Sequence, residues 1–178
     1  MQMADGAYEA AAHRPSVDLA SFRDAMARFA SGVTVVTTLD DAGRPHGFTA
    51  SSFTSLSHEP PLVLVCLANS ARCYSAFMTA GQFGVFMLRQ HQWAIGARFA
   101  SKDLTDKFVD GAFDYLYPVP HLSDALSSVI CRVHDRVQGG DHTILIGEVL
   151  AATYSDGEPI VFFNRRQWRI VADTVEAS

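Results

Sequence analysis

Residues 129–138 and 143–153 read as two long strands joined through Gly139-Gly140-Asp141. Glycine supplies the positive φ that a tight reversal demands, so this segment predicts a β-hairpin. A hairpin of that length commits the chain to antiparallel pairing. The other short runs agree with it. Val33-Thr34-Val35-Val36-Thr37-Thr38 is a β-branched strand, followed by turn chemistry at Asp40-Asp41-Ala42-Gly43. Residues 46–57 read as a second strand, antiparallel to the first and broken by Glu59-Pro60-Pro61. Residues 62–67 are apolar on both faces, the mark of a central strand. Residues 83–88 and 160–163 add two more.

Helices are expected at 16–31, 72–80 and 92–100. In the first, Leu19, Phe22, Met26 and Phe29 share a face, Ser16 or Asp18 caps the start, and Gly32 closes the end. Residues 101–122 read as irregular. About seven strands with short turns and no βαβ alternation predict a mainly β chain, an antiparallel split β-barrel rather than a doubly wound sheet.

The 178 residues are 48% hydrophobic, enough for one cored domain over 16–172. A disordered leader at 1–15 and a frayed tail at 173–178 are expected beside it. The longest apolar run, 62–68, is far too short to span a membrane, and the first residues lack a signal-peptide core. Net charge is −5, and the 14 basic residues are spread thinly apart from Arg165, Arg166 and Arg169. That distribution excludes a nucleic-acid face. Three cysteines without metal spacing point to a reducing cytoplasm. Cys66 reads as a core residue, and Cys73 as packed on the short helix.

The common catalytic signatures are absent. There is no Gly-x-Ser-x-Gly elbow, no P-loop and no dinucleotide fingerprint, and no metal site is assigned. What stands out is Thr49, Ala50, Ser51, Ser52, Thr54, Ser55 and Ser57, followed after an apolar strand by Asn69 and Ser70. Hydroxyls and backbone N–H groups beside small side chains suit a phosphate or a polar heterocycle. Ser/Thr alternation equally suits the solvated face of an edge strand. Consecutive residues 49–52 point to both faces, however, so the run lacks an apolar core face.

These residues resemble the flavin reductase family with the FMN-binding split-barrel fold. The resemblance rests on residues 22–37, on Gly47-Phe48-Thr49-Ala50-Ser51-Ser52-Phe53-Thr54-Ser55-Leu56-Ser57 with Pro60-Pro61, and on Asn69-Ser70. Phe83-Gly84-Val85, Ala97-Arg98-Phe99-Ala100, Lys107-Phe108 and Gly140-Asp141-His142 complete it. Two positions depart from the family pattern: Phe86, where Asn is frequent, and Gln167-Trp168, where Tyr is.

The resemblance implies a homodimer that binds FMN or FAD, takes hydride from NADH or NADPH, and delivers reduced flavin to a separate flavin-dependent monooxygenase. The lack of an arginine cluster for a 2′-phosphate favours NADH. By position, the resemblance implies that Thr34 and Val35 approach the flavin and that Thr49, Ala50, Ser51 and Ser52 line its ring. Asn69 and Ser70 would hold the ribityl or phosphate portion, Arg98 and Phe99 would lie near the phosphate, and His142 would face the nicotinamide. Several of these have plain alternatives. Asn69 reads equally as a turn residue, Arg98 as an exposed helix residue, and His142 as a surface histidine in a hairpin. A flavin-binding electron carrier on the same fold is the alternative function. A pyridoxamine-phosphate-oxidase-like enzyme lacks its basic phosphate cluster here.

Overall fold

A computed structural model describes residues 17–109, 111–115 and 118–171. The expected leader at 1–15 and tail at 173–178 lie outside the described residues. The strands are β1 (Ser31–Gly32), β2 (Thr34–Leu39), β3 (Pro45–Ala50), β4 (Thr54–His58), β5 (Pro61–Ala68) and β6 (Gln82–Met87). They continue with β7 (Phe113–Asp114), β8 (His121–Leu122), β9 (Ser127–Gly139), β10 (His142–Tyr154), β11 (Val161–Phe163) and β12 (Arg166–Trp168). The helices are α1 (Leu19–Met26), α2 (Tyr74–Thr79) and α3 (Trp93–Ala100). One seven-stranded sheet has the order β3-β2-β6-β9-β10-β5-β4, and every pair in it is antiparallel. The mainly β, antiparallel expectation holds.

Local chemistry accounts for the reversals. Asp40 accepts hydrogen bonds from the backbone N–H groups of Ala42 and Arg44 at 3.0 and 2.9 Å, which sets the β2–β3 turn. Gly140, at φ 73°, turns β9 into β10, and Gly139 pairs with His142 directly across. The predicted hairpin is therefore present, and each arm is longer than expected.

The core lies on both sides of the sheet. On the inner side, Val36, Phe48, Val63, Val65, Leu67, Phe83, Val85 and Leu145 meet Phe77 of α2. On the outer side, Val35, Phe86, Leu88, Ile130 and Ile160 meet Phe99 of α3 together with Phe113 and Leu122. Strands β2 and β6 are thus covered on both faces, as their unbroken apolar and β-branched runs require. Strand β5 pairs on both edges, as a central strand should, but only Val63, Val65 and Leu67 are buried. Its other face, Leu62, Leu64, Cys66 and Ala68, is half-exposed.

Three expectations are corrected. Residues 46–57 form two strands, because β3 pairs with β2 at one end of the sheet and β4 pairs with β5 at the other. The chain must leave one ladder and cross to the second through Ser51, Ser52 and Phe53. The first helix stops at Met26 instead of running to residue 31. Ser31 and Gly32 are drawn into pairing with Phe162 and Val161, and the Asn164 N–H donates to the Ala27 carbonyl at 2.7 Å. Strand β12 was not foreseen. It follows a tight turn in which Asn164 and Arg165 both have positive φ, 48° and 61°. Asp18 is the helix cap, accepting from the Ser21 N–H at 2.9 Å.

Candidate functional site

The crossing between β3 and β4 builds an open shelf. Before it, the Thr34 hydroxyl donates to the Ala50 carbonyl at 3.0 Å, and the Thr49 hydroxyl donates to the Gly96 carbonyl of α3 at 2.6 Å. Both threonines are therefore committed to holding backbone. Beyond them Ser51 and Ser52 are exposed. The Ser52 hydroxyl accepts the Cys66 N–H at 3.0 Å and so pins the crossing to β5.

At the far end of β5 the chain meets the β9–β10 turn. The Asn69 N–H donates to the Asp141 carbonyl at 2.9 Å, and its Nδ2 donates to the Gly140 carbonyl at 3.3 Å. Its Oδ1 accepts from the Thr143 hydroxyl at 2.8 Å. His142 lies opposite Ala68, and its Nδ1 is 2.7 Å from the Asp141 carboxylate. That hydrogen bond holds the Asp141 carboxyl below its ordinary range. The contact to Nδ1 leaves Nε2 as the ring nitrogen available to a ligand, since 45% of the His142 side chain is exposed.

Two cations stand beside this end of the sheet. The Lys107 ammonium donates to the Phe99 carbonyl at 2.8 Å and lies near Arg72 and Cys73. Burial lowers the Lys107 pKa; Cys73 opposes the shift and Arg72 reinforces it. Neither cation forms an ion pair with a described carboxylate. A pair of like charges held together without an acid is an arrangement that favours an anion.

The structure divides the sequence-predicted residues into groups. Ala50, Ser51 and Ser52 line the crossing, and Asn69, Ser70 and His142 gather at the turn. Val35 and Phe99 are 0% and 1% exposed, so their side chains belong to the outer core. Arg98 is half-buried on α3, with Nη1 3.5 Å from the Val109 carbonyl. Phe86 is buried and meets His121 edge-on at 5.2 Å, so this departure from the family pattern acts on packing. Trp168 donates its indole N–H to the Phe163 carbonyl at 3.0 Å and lines a groove of about 350 Å³ with Gln90, His91, Gln167 and Arg169. No residue of the shelf or the turn lines that groove. Sequence reasoning passed over Lys107, Arg72 and Thr143 as site residues. Lys107 was visible as part of Lys107-Phe108, whereas Thr143 looked like any β-branched strand residue.

The sequence profile of the flavin reductase like domain matches residues 26–170. The chain belongs to this family. Among its relatives, the actinorhodin polyketide dimerase of Streptomyces coelicolor is 45% identical over 153 residues, covering 85% of this chain and 86% of that protein. The NADH:riboflavin 5′-phosphate oxidoreductase of Streptomyces pristinaespiralis is 41% identical over 167 residues, covering 92% and 94%. The fold matches the NADH:FAD oxidoreductase of Streptomyces globisporus C-1027, solved with NAD and FAD fragments. That match has a TM-score of 0.80 and 34% identity and covers 88% of this chain and 95% of the other. Further relatives are named as reductase components or subunits of monooxygenases. The flavin reductase match contains both the crossing and the β9–β10 turn.

Proposed function

We propose that the chain is an NADH-dependent reductase of FMN or FAD that supplies reduced flavin to a separate monooxygenase. The observation that carries this reading is the placement of exposed Ser51 and Ser52 on a shelf beyond which stand Ser70, Arg72 and Lys107, the Asn69 side chain being taken up by the β9–β10 turn. Small residues at strand ends admit a flat ring, and two cations without an ion pair to a described carboxylate suit a phosphate tail. This donor set fits a flavin.

A bound flavin supplies the hydride acceptor. The chain supplies position and electrostatics. Backbone N–H groups around Ser51 and Ser52 would be the groups to stabilise negative charge on a bound flavin. Lys107 and Arg72 would hold the phosphate, with a hydroxyl from Ser70, and His142 would orient the nicotinamide through Nε2, with Asp141 fixing its ring.

Two apolar surfaces support a homodimer. Leu19, Phe22 and Met26 of α1 are 57%, 51% and 55% exposed, and the outer face of β5 is half-exposed beside Ile144 and Ile146 of β10. Contiguous apolar surface of this kind suits a subunit contact. Among the described residues Cys66, Cys73 and Cys131 are free thiols, which suits a reducing cytoplasm.

The test mixes purified protein with NADH or NADPH and with FMN, FAD or riboflavin, and follows nicotinamide absorbance. Flavin-dependent oxidation, faster with NADH, is expected. Flavin binding without oxidation of either nucleotide would make the chain a carrier and sink the reductase reading. For His142, the alanine variant should raise the NADH KM; unchanged KM and turnover would remove its role.

A further inference from the structure

We infer that Thr143 is a positioning residue for the nicotinamide side of the reaction, acting through Asn69 on the turn that carries His142. The inference rests on the reductase reading above and on the role of His142 in it.

Thr143 is fully buried on β10, next to His142, and its hydroxyl has three polar neighbours. Asn69 Oδ1 lies at 2.8 Å, the Tyr74 hydroxyl at 3.1 Å and Gln138 Nε2 at 3.1 Å. A threonine hydroxyl has a single hydrogen to give. An amide oxygen can only accept, so that hydrogen goes to Asn69. Tyr74 and Gln138 must then both donate to Thr143. Every bond in the group acquires one direction, from Tyr74 to Thr143 to Asn69.

The same chain of bonds decides the Asn69 amide. With Oδ1 turned to Thr143, Nδ2 faces the Gly140 carbonyl at 3.3 Å. The Asn69 N–H meets the Asp141 carbonyl at 2.9 Å. Asn69 therefore grips two successive carbonyls of the turn, immediately before His142. Gly140 gives that turn its freedom, with φ at 73° and nothing within 4 Å of where a Cβ would stand. A turn with so little packing of its own depends on outside ties to keep one shape. Loss of the Thr143 hydroxyl would leave Asn69 Oδ1 without its donor and release the amide to rotate. The Asn69 side chain is thus a clamp on the turn, spent on protein groups.

The experiment uses the full chain as wild type and as His142→Ala, Thr143→Val, Thr143→Ser and Asn69→Ala. Thr143→Val and Asn69→Ala should each raise the NADH KM about fivefold, the loss of one net hydrogen bond. Turnover and flavin KM should stay within about twofold, the mark of lost ground-state positioning on one substrate only. Thr143→Ser, which keeps the hydroxyl, should restore the wild-type NADH KM. In flavin-free protein, amide hydrogen exchange at Asn69 should quicken in Thr143→Val and not in Thr143→Ser. Should Thr143→Val fail to fold, Asn69→Ala at the half-buried partner carries the kinetic comparison. An NADH KM unchanged in Asn69→Ala, or a raised flavin KM in its place, overturns the clamp. If His142→Ala itself changes nothing, the nicotinamide role of His142 falls. If His142→Ala has an effect while Thr143→Val and Asn69→Ala have none, the clamp alone falls.

Discussion

Lys107 places its ammonium 2.8 Å from the Phe99 carbonyl, so a loop cation is anchored on the C-terminal turn of α3. The anchor holds the charge beside Arg72 without an ion pair to a described carboxylate. Lys107→Met should raise the KM for FMN and FAD by roughly tenfold or more, the range of a lost charge-assisted hydrogen bond. Flavin fluorescence titration checks this, and the effect should shrink as salt rises. Unaltered flavin affinity would remove Lys107 from the tail site.

Phe99 is itself a core residue, packed edge-on against Phe108 at 5.0 Å and tilted against Phe113 at 5.4 Å. Phe99→Ala should destabilise the fold by about 3–5 kcal/mol, the cost of emptying a buried aromatic site. Urea denaturation measures it. A loss below about 1 kcal/mol would mean that the aromatic cluster collapses to fill the space.

Burial pushes the Cys73 thiol up to about 11 and the Cys131 thiol up to about 12, from 9.0. Lys107 draws Cys73 back slightly. Folding favours the protonated thiol in both cases, so this contribution is complete below about pH 9 and is lost as pH climbs toward about 12. The urea midpoint should accordingly decline over that alkaline range, and less in Cys131→Ala than in wild type. At pH 8, alkylation should reach the half-exposed Cys66 well before the other two. Equal labelling of all three would contradict the buried placement of Cys73 and Cys131.

Among the described residues, Leu19, Phe22 and Met26 on the apolar side of α1 stay more than half exposed. If the proposed homodimer uses this face, Phe22→Asp combined with Met26→Asp should convert it to monomer in sedimentation velocity, while far-ultraviolet dichroism keeps its β signature. A double variant that sediments as wild type would move the subunit contact off α1.

Much of this fold is legible locally. The β9–β10 hairpin announces itself because Gly139 and Gly140 sit between two long β runs, and β2 does so through β-branching alone. The errors arise where a distant partner decides the outcome. Ser31 and Gly32 look like the end of a helix until Phe162 and Val161 claim them. Residues 46–57 look like one strand because nothing local says that β3 and β4 join different ladders. The site follows the same rule. Ser52, Asn69 and His142 are visible as polar residues closing apolar strands. Lys107 sits in an irregular stretch, and its convergence with Arg72 depends on how that stretch folds back. Thr143 is hidden for another reason, since its hydroxyl has meaning only against Asn69, Tyr74 and Gln138.

The sheet order has a consequence for biosynthesis. Strand β5 finds a ladder partner in β10, Leu67 against Thr143 and Val63 against Gly147. On a ribosome β5 therefore emerges long before the strand that secures it, with only the short β4 to pair in the interval. A nascent chain arrested near residue 140 should leave residues 61–68 open to protease, and one released past residue 154 should not. The strand that leads from the shelf to Asn69 is thus secured only when the β9–β10 hairpin is complete.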